Sequence, residues 1–179
     1  DWNLVDGIGD QLWFVTNKDA PKLKVVKVDL DQRENYQVPC AAPSDICDMW
    51  RYVFTDIIPE RSETLSKAQI VGDKLILSYL QDAKSLAIMA SLDGKPATVI
   101  NLNNIGTAAG FYGKPGDPET FYSFSSYNQP TAIYRFDTKS GKSMPFAKPK
   151  LSFDPANIAV EQVFYPSKDG TKIPMFIIH

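Results

Sequence analysis

A strand–turn–strand pattern appears three times along the chain, and it limits the folds that the sequence can adopt. Each copy contains an apolar run rich in aromatic and β-branched residues, a short polar turn, and a second apolar run that closes with Asp. Runs of this kind, separated by Asn, Asp and Pro, are typical of β-hairpins. The three copies span 12–29, 75–93 and 120–137. We therefore expect an all-β chain assembled from hairpins.

The spacing of the repeats predicts how the hairpins are grouped. The closing aspartates are Asp29, Asp93 and Asp137, which lie 64 and 44 residues apart. A unit of about 40 to 50 residues with several strands is typical of a β-propeller blade. An insertion of about 20 residues explains the longer first interval, and the segment 32–48, which contains Pro and Cys, is its candidate. The fold predicted is a partial β-propeller of about three four-stranded blades.

Further strands complete the predicted blades, at 52–58, 68–71, 98–100 and 110–113. A single helical turn within 59–66 is the only helical structure that we expect. Consecutive apolar residues are typical of sheets that are buried on both faces, as between neighbouring blades. We therefore predict that the large aromatic side chains pack between blades, namely Trp13, Phe14, Tyr79, Phe121, Tyr122, Phe124 and Tyr134.

The composition argues against several classes of partner. The formal charge of the 179 residues is -2, whereas nucleic-acid-binding modules usually carry a basic face. The sequence has no apolar stretch near the roughly 18 residues that cross a bilayer, so no membrane is expected as a partner. The first residues also do not resemble a signal peptide. The Gly7-Ile8-Gly9 segment lacks the further glycine and helix of a phosphate-binding loop, so no cofactor is expected.

The two cysteines, Cys40 and Cys47, leave three interpretations open. They are two free thiols, or a disulfide that closes a small loop, or part of a metal site. The metal site is disfavoured because no histidine lies nearby to complete a zinc shell. A disulfide would indicate an oxidising compartment such as a periplasm. The predicted location is therefore cytoplasmic or periplasmic, depending on the state of the pair.

The organisation of the sequence changes near residue 150. The repeats end after Phe146, and residues 148–157 have the Pro-containing, polar character of a linker. Two apolar runs then flank Asp169-Gly170, a strong hairpin signal. The second run stops at His179 without a closing element, so we expect the natural sequence to continue. The predicted domains are blades over 1–147, a linker over 148–157, and the opening of a second domain over 158–179.

The last 19 residues, from Glu161 to His179, resemble the start of the peptidase domain of the prolyl oligopeptidases, also called prolyl endopeptidases. Earlier segments resemble the blades of the same family. These are Thr16-Asn17 with Ala20-Pro21, Ile58-Pro59-Glu60, Tyr79-Leu80 with Asp82-Ala83, and 121–130. The resemblance covers nearly the whole chain, although the segment from Cys40 to Cys47 departs from the family pattern.

This resemblance implies a two-domain serine peptidase. An α/β-hydrolase domain would carry a Ser-Asp-His triad, and a seven-bladed propeller would cap the active site. The family cleaves peptides on the carboxyl side of proline. It prefers short peptides, because the propeller excludes folded proteins. The present chain would supply the last blades and the β-hairpin that opens the hydrolase domain. Its partners would then be proline-containing oligopeptides and its own hydrolase domain.

The chain itself is expected to carry no catalytic, cofactor-binding or metal-binding residue. Its sequence contains no Gly-x-Ser-x-Gly segment, which usually presents the nucleophile of an α/β-hydrolase. Its one histidine, His179, is expected to end a strand rather than to act as a base. Asp29 and Asp137 are candidates for an acid–base pair, but their matching positions in the repeats favour roles in turns and strand ends.

A non-enzymatic propeller-type module that binds proteins or peptides is the alternative function. About three blades do not close a ring, since closed propellers usually have four to eight, and this argues against a stand-alone module. Relatives of the oligopeptidase B or acylaminoacyl peptidase type are a further alternative. The segment from Ser167 to Pro174 favours the prolyl endopeptidase branch.

Overall fold

The computed structural model describes residues 1–40, 46–102 and 104–179, and strands dominate this part of the chain. The first four strands are β1 (Trp2–Ile8), β2 (Gln11–Thr16), β3 (Lys24–Pro39) and β4 (Ile46–Ile58). The next four are β5 (Thr64–Val71), β6 (Lys74–Gln81), β7 (Lys84–Ser91) and β8 (Ala97–Ile100). Then follow β9 (Thr107–Tyr112), β10 (Glu119–Ser126), β11 (Gln129–Asp137) and β12 (Lys142–Ala147). A 3₁₀ turn (Pro155–Asn157), β13 (Val160–Pro166) and β14 (Lys172–Ile178) end the chain.

The first twelve strands form three four-stranded sheets in sequence order, β1 to β4, β5 to β8 and β9 to β12. Every pair of neighbouring strands is antiparallel. Such four-stranded meanders are how a propeller blade is built, so the predicted all-β architecture is confirmed. The chain divides into two compact units, a first unit (Asp1–Arg61) and a second unit (Ser62–His179).

The helical turn predicted within 59–66 is wrong. Strand β5 already begins at Thr64, four residues before the strand predicted at 68–71. The side chain of Leu65 is buried, and its backbone pairs with Tyr79 of β6. Cross-strand pairing and burial of this apolar side chain outweigh the weak local helical preference, as tertiary contacts often do. The 3₁₀ turn instead falls in the predicted linker, where the Asp154 carboxylate accepts a hydrogen bond from the Ala156 N–H.

The core of the second unit lies between its two four-stranded sheets. Residues from both sheets form one buried apolar cluster, including Val71 and Ile76 of one sheet. The Tyr122 ring stacks between those of Phe111 and Tyr134, at centroid distances of 4.5 and 5.3 Å. Such aromatic pairs add stability beyond the area that they bury. The prediction that aromatic side chains fill the space between sheets is therefore confirmed for Tyr122, Phe124 and Tyr134, which belong to this cluster, and Tyr79 is buried as well.

Phe121 and Phe14 depart from this prediction, because the side chain of Phe121 is 40% exposed and that of Phe14 is only half-buried. Successive side chains of a strand point to opposite faces of the sheet, and the neighbouring Tyr122 occupies the buried face. Phe121 packs on Phe146 of the same sheet, at a centroid distance of 5.0 Å. The prediction of burial for Phe121 is thus wrong in this chain, and the outer face of the sheet β9–β12 remains apolar and exposed.

The sheet of the first unit is also apolar on both faces. Trp13, predicted to be core, is buried on one face. On the other face the ring of the half-buried Phe14 lies 6.3 Å from that of Phe54, which in turn lies 4.8 Å from that of Trp2. Trp2 and Phe54 are 45% and 46% exposed. An apolar sheet face of this kind is expected to be covered by another element.

Beyond this sheet, β3 and β4 continue as a two-stranded ribbon, which we define as residues 31–40 and 46–53. After a register shift between Val28 and Arg33, the pairing runs without interruption from Arg33 opposite Tyr52 to Pro39 opposite Ile46. A disulfide joins Cys40 to Cys47 at the end of the ribbon. The free-thiol and metal interpretations are therefore wrong, and the predicted insertion is the ribbon with its connection. Residues 41–45 of this insertion lie outside the described residues.

Truncation of a buried ring is expected to test the packing of the second unit. Phe136→Ala removes a fully buried side chain that contacts Phe111. We expect a loss of about 3–5 kcal/mol in the free energy of unfolding, measured in urea. The control Val99→Ala removes a side chain that is 61% exposed, so its effect is expected to stay within about 0.5 kcal/mol. Equal effects of the two variants would contradict the described packing.

Reduction of the disulfide is expected to loosen the ribbon alone. An isolated two-stranded hairpin is marginally stable in water, and a cross-link that closes so short a loop contributes about 2 kcal/mol. We expect faster amide hydrogen exchange in the ribbon after reduction, and unchanged exchange in β6 and β7. A variant carrying both Cys40→Ser and Cys47→Ser should match the reduced protein and show no response to reductant. Faster exchange throughout the chain would refute this local role.

Candidate functional site

The terminal hairpin, β13 with β14, is held in shape by its turn. The two strands pair in one register from Val160 opposite Ile178 to Pro166 opposite Lys172. In the turn, the Asp169 carboxylate accepts hydrogen bonds from the Ser167 hydroxyl and the Thr171 N–H. These bonds lower the pKa of Asp169 to about 2. The carboxylate therefore stabilises the turn at neutral pH. This stabilisation is lost as the pH falls from 3.8, the ordinary pKa of Asp, towards about 2.

Loops of the second unit meet this hairpin at one end of its sheets. We call the residues of these loops that contact the hairpin or the linker the docking surface, with members Asp82, Lys84, Tyr127 and Asn128. Asp82 and Ala83 form the turn between β6 and β7, and both have positive φ, of 49° and 63°. Such values are typical of the type I′ turn that joins two closely paired strands. Lys84 begins the strand that follows this turn.

The side chain of Gln162 makes the polar contact between the hairpin and this docking surface. Its Nε2 donates a hydrogen bond to the Asp82 carbonyl oxygen at 2.6 Å. The Lys84 ammonium donates to its Oε1 at 2.7 Å. Both ends of one amide are therefore used, and the donor on the second contact is charged, which makes that hydrogen bond stronger than a neutral one. Gln162 thereby fixes the position of β13 against the turn between β6 and β7.

The Asn128 side chain holds the segment that leads into the hairpin. Its Nδ2 donates to the carbonyl oxygens of Pro155 and Ile158, at 3.1 and 2.8 Å. Its Oδ1 accepts a hydrogen bond from the Asn104 amide at 3.2 Å. These bonds tie the carbonyl groups around the 3₁₀ turn to Asn128, and the Pro155 carbonyl also accepts the Ile158 N–H within the turn. The predicted linker is thus attached to the docking surface at its C-terminal end.

An aromatic contact and a small cavity complete this arrangement. The rings of Tyr127 and Phe176 lie 5.0 Å apart, and a cavity of about 180 Å³ lies beside them. Ligand sites usually enclose about 300–1,000 Å³ and are mostly apolar, whereas this cavity is small and is lined in part by Lys84 and Ser126. Gly106 also lines it, and a Cβ there would come within 2.1 Å of the Ser125 carbonyl oxygen. We interpret the cavity as a packing gap between hairpin and loops.

His179 lies at the end of the hairpin and has an exposed side chain. Its backbone N–H and carbonyl pair with Ala159, at 3.1 and 2.6 Å. Its Nε2 lies 3.5 Å from a carboxylate oxygen of Glu161, and both side chains are more than half exposed. An exposed pair of this kind contributes little free energy. The contacts of His179 are those of a strand-end residue.

The two aspartates considered as an acid–base pair are each tied into local structure. Asp29 accepts hydrogen bonds from the Gln11 side chain and from the Asp31 N–H, both at 3.1 Å. Asp137 accepts from the Ser140 N–H at 2.7 Å and from its hydroxyl at 2.9 Å. Hydrogen bonds from Ser140 lower the pKa of Asp137, which keeps the carboxylate charged. Asp137 thus ends β11 and closes the turn that follows, in the manner typical of Asp, whereas Asp29 lies within β3 beside its register shift.

Among the described residues, no group of three or more His, Cys, Asp or Glu side chains could hold a metal ion. None of the helices described there is long and apolar enough to span a membrane.

Sequence reasoning missed the residues of the docking surface. Gln162 lies 80 residues from Asp82 along the chain, and a glutamine within a strand gives no local signal of a partner. Asn128 stands in a turn, where Asn is common for its backbone preferences alone. Only the folded arrangement of the two sheets and the hairpin distinguishes these residues from other polar residues in turns.

The three four-stranded meanders define a protein of the β-propeller class. A family model described as the prolyl oligopeptidase N-terminal beta-propeller domain matches residues 1–149. The chain therefore belongs to the prolyl oligopeptidase family, as its sequence resemblance indicated, and it carries propeller-domain sequence of that family.

Known relatives agree with this membership. The chain is 37% identical over 174 residues to a prolyl endopeptidase of Elizabethkingia miricola, an alignment covering 97% of the chain and 22% of the relative. It is 27% identical over 184 residues to a dual function macrocyclase-peptidase of Galerina marginata, covering 99% of the chain and 23% of the relative. A structure from a study of two prolyl endopeptidases matches with a TM-score of 0.79 and 43% identity, covering 99% of the chain and 24% of that structure. The chain thus spans about a quarter of the length of these relatives.

Removal of the Gln162 side chain is expected to release the hairpin. Gln162→Ala deletes both hydrogen bonds and leaves the Lys84 ammonium without this partner. We expect faster hydrogen exchange in β13 and β14, and a double-mutant cycle with Lys84→Ala should give a coupling of about 1 kcal/mol. Glu161→Ala is the matched control, because the neighbouring Glu161 contacts the hairpin's own His179. A coupling near zero would show that the contact does not hold the hairpin.

Proposed function

We propose that the chain is the gating part of a serine endopeptidase that cleaves short peptides after proline. In this proposal the catalytic triad lies on an α/β-hydrolase domain, and residues 158–179 are its first strands. The observation that carries the proposal is the attachment of the terminal hairpin to the blade loops through Gln162 and Asn128. A hydrolase domain that begins with this hairpin starts in contact with one end of the propeller blades.

The exposed apolar faces of two sheets support a larger ring of blades. Trp2 and Leu4 are 45% and 60% exposed on the first sheet, and Phe146 is 67% exposed on the sheet β9–β12. Contiguous apolar surface of this kind usually marks a contact with another element. Further blades packed on these faces would cover it. A ring of seven blades, with residues 1–147 supplying the last ones, accounts for both faces at once.

A closed ring at the mouth of an active site gives the chain a role in substrate selection. A propeller leaves a narrow central channel, so extended or short peptides would reach the hydrolase domain while folded proteins would not. A structure of prolyl oligopeptidase B from Galerina marginata, bound to a 35mer hydrolysis and macrocyclization substrate, matches this chain with a TM-score of 0.76 at 25% identity. Peptides of such length are therefore reasonable substrates for the proposed enzyme. The chain would affect specificity rather than the chemical step.

The disulfide adds a proposal about location. Disulfides persist in oxidising compartments and are rare in the cytosol of mesophiles. The bond between Cys40 and Cys47 therefore favours the periplasm over the cytoplasm for the protein.

Peptide cleavage by the full-length protein tests the proposed activity. Two peptides of about ten residues that differ by Pro or Ala at one central position are incubated with it, and products are identified by mass spectrometry. We expect cleavage after Pro and at least about 10²-fold slower cleavage after Ala, because a pocket shaped for proline loses packing with Ala. The present chain alone should cleave neither peptide.

Gating is tested by placing the same Pro-containing sequence in a surface loop of a stable folded protein. The proposal expects the free peptide to be cut and the folded protein to stay intact until it is denatured. Equal rates on peptide and folded protein would refute gating. Absence of any cleavage by the full-length protein would instead favour a non-enzymatic, peptide-binding propeller.

A further inference from the structure

The ribbon leaves a long strand edge unpaired. Among the described residues, β4 pairs only with β3, so its outer side carries unpaired backbone N–H and C=O groups. Natural proteins usually protect such edges with Pro, Lys, bulges or short strands, because an open edge is a template for pairing with another chain. From Ile46 to Phe54 the edge contains no Pro and no Lys, and its pairing with β3 has no bulge between Ile46 and Tyr52. Pro, Lys and bulges are therefore missing, and the charged side chains along this edge are Asp48 and Arg51.

The side chains on this edge are large, apolar and exposed. Ile46 and Trp50 are 68% and 62% exposed, and Tyr52 and Phe54 are 43% and 46% exposed. All four alternate along β4 and so lie on one face of the strand. A protein rarely keeps such a surface uncovered. A two-stranded hairpin is only marginally stable by itself, and the disulfide stabilises the ribbon. This added stabilisation favours a function for the extended ribbon, such as contact with a partner.

We propose that this edge pairs with the same edge of a second copy of the chain. The two β4 strands would run antiparallel and join the ribbons into one four-stranded sheet around a two-fold axis. An interface of this kind uses the same patch on both copies, which is the commonest form of a homodimer. Backbone hydrogen bonds would supply affinity, and the side chains would select the register. This inference does not rest on the proposed peptidase function.

Of the registers whose axis passes through Trp50, Arg51 or Tyr52, the side chains favour the one through Trp50. When the two-fold axis is perpendicular to the ribbon, side chains that lie opposite each other point to the same face only if one residue of β4 lies opposite its own copy. The axis is then said to pass through that residue. An axis through Trp50 sets Trp50 against its own copy, and Ile46 against Phe54 of the second copy, so that apolar side chains meet. An axis through Arg51 would set two like charges directly opposite each other, and an axis through Tyr52 would set Asp48 against Asp56 of the second copy. Both are unfavourable.

The register through Trp50 also gives complementary charges. It places Asp48 of one copy directly opposite Tyr52 of the other. The Arg33 guanidinium lies over that Tyr52 ring, 5.3 Å from its centroid, and so extends towards the outer edge of β4. Asp48 accepts one hydrogen bond from Gln37 at 3.3 Å and keeps further acceptor capacity. Two symmetric Arg33–Asp48 contacts would therefore form across the interface. Within one copy, Arg33 lies opposite Tyr52 and Asp48 lies opposite Gln37, four residues further along the ribbon.

Sedimentation velocity over a concentration series tests the proposal. The wild-type chain is expected to show a monomer–dimer equilibrium by roughly 100 µM, as suits a small interface. Arg33→Asp alone and Asp48→Arg alone should each weaken the dimer about tenfold, because each sets like charges together at two symmetric places. The variant carrying both changes should return to within about threefold of wild type, since the charges are complementary again. A ribbon that merely misfolds would not recover in this way.

A matched control separates the ribbon from the open blade faces. Trp50→Arg sets two positive charges at the axis and is expected to weaken the dimer at least about tenfold. Phe121→Arg changes an exposed aromatic residue of the sheet β9–β12 and should leave the dimer intact, with circular dichroism showing that both variants are folded. A monomeric wild-type chain overturns the proposal. So does dissociation by Phe121→Arg in place of Trp50→Arg, or a double charge reversal that fails to recover.

Discussion

Antiparallel pairing between strands that are neighbours in sequence is the interaction on which the rest of the structure depends. It produces three small sheets, each of four strands, and a sheet of this size cannot bury its own faces. Apolar side chains on both faces therefore need a second sheet. In the second unit the stack of Phe111, Tyr122 and Tyr134 meets this need. Where no neighbour is present, as around Trp2 and Phe146, the same pattern leaves apolar surface exposed.

Attachment of the terminal hairpin follows a different principle. The contact uses few apolar groups and relies on two side-chain amides, that of Gln162 on the hairpin and that of Asn128 on the docking surface, which donate to backbone carbonyls of the opposite part. Hydrogen bonds of this kind are directional and individually modest in free energy. They fix the position of the hairpin against the blade loops, but they stabilise the contact less than a large apolar interface would. This arrangement suits a boundary between a propeller and a domain that follows it, since inter-domain contacts are usually more polar than a core.

The ribbon is stabilised in a different way from the sheets. Among the described residues its strands pair only with each other, and local contacts hold it. Arg51 pairs with Glu34 at 3.0 Å and lies over the ring of Tyr36, while the disulfide closes the end. Exposed ion pairs contribute little by themselves, so the covalent bond is the main restraint on this part of the chain. An element maintained in this way has a shape that does not depend on the propeller core.

The sequence by itself determined the hairpins, the grouping of strands into four-stranded sheets and the family, because turn residues and alternating apolar runs act over short distances. Its local signals failed where long-range contacts decide the outcome. Leu65 joined a strand because Tyr79 of the next strand pairs with it, and Phe121 became exposed because Tyr122 took the buried face. Only the tertiary structure paired Gln162 with Asp82, closed the disulfide and left the edge of β4 open. These features depend on which surfaces meet in space, and a linear pattern does not contain that information.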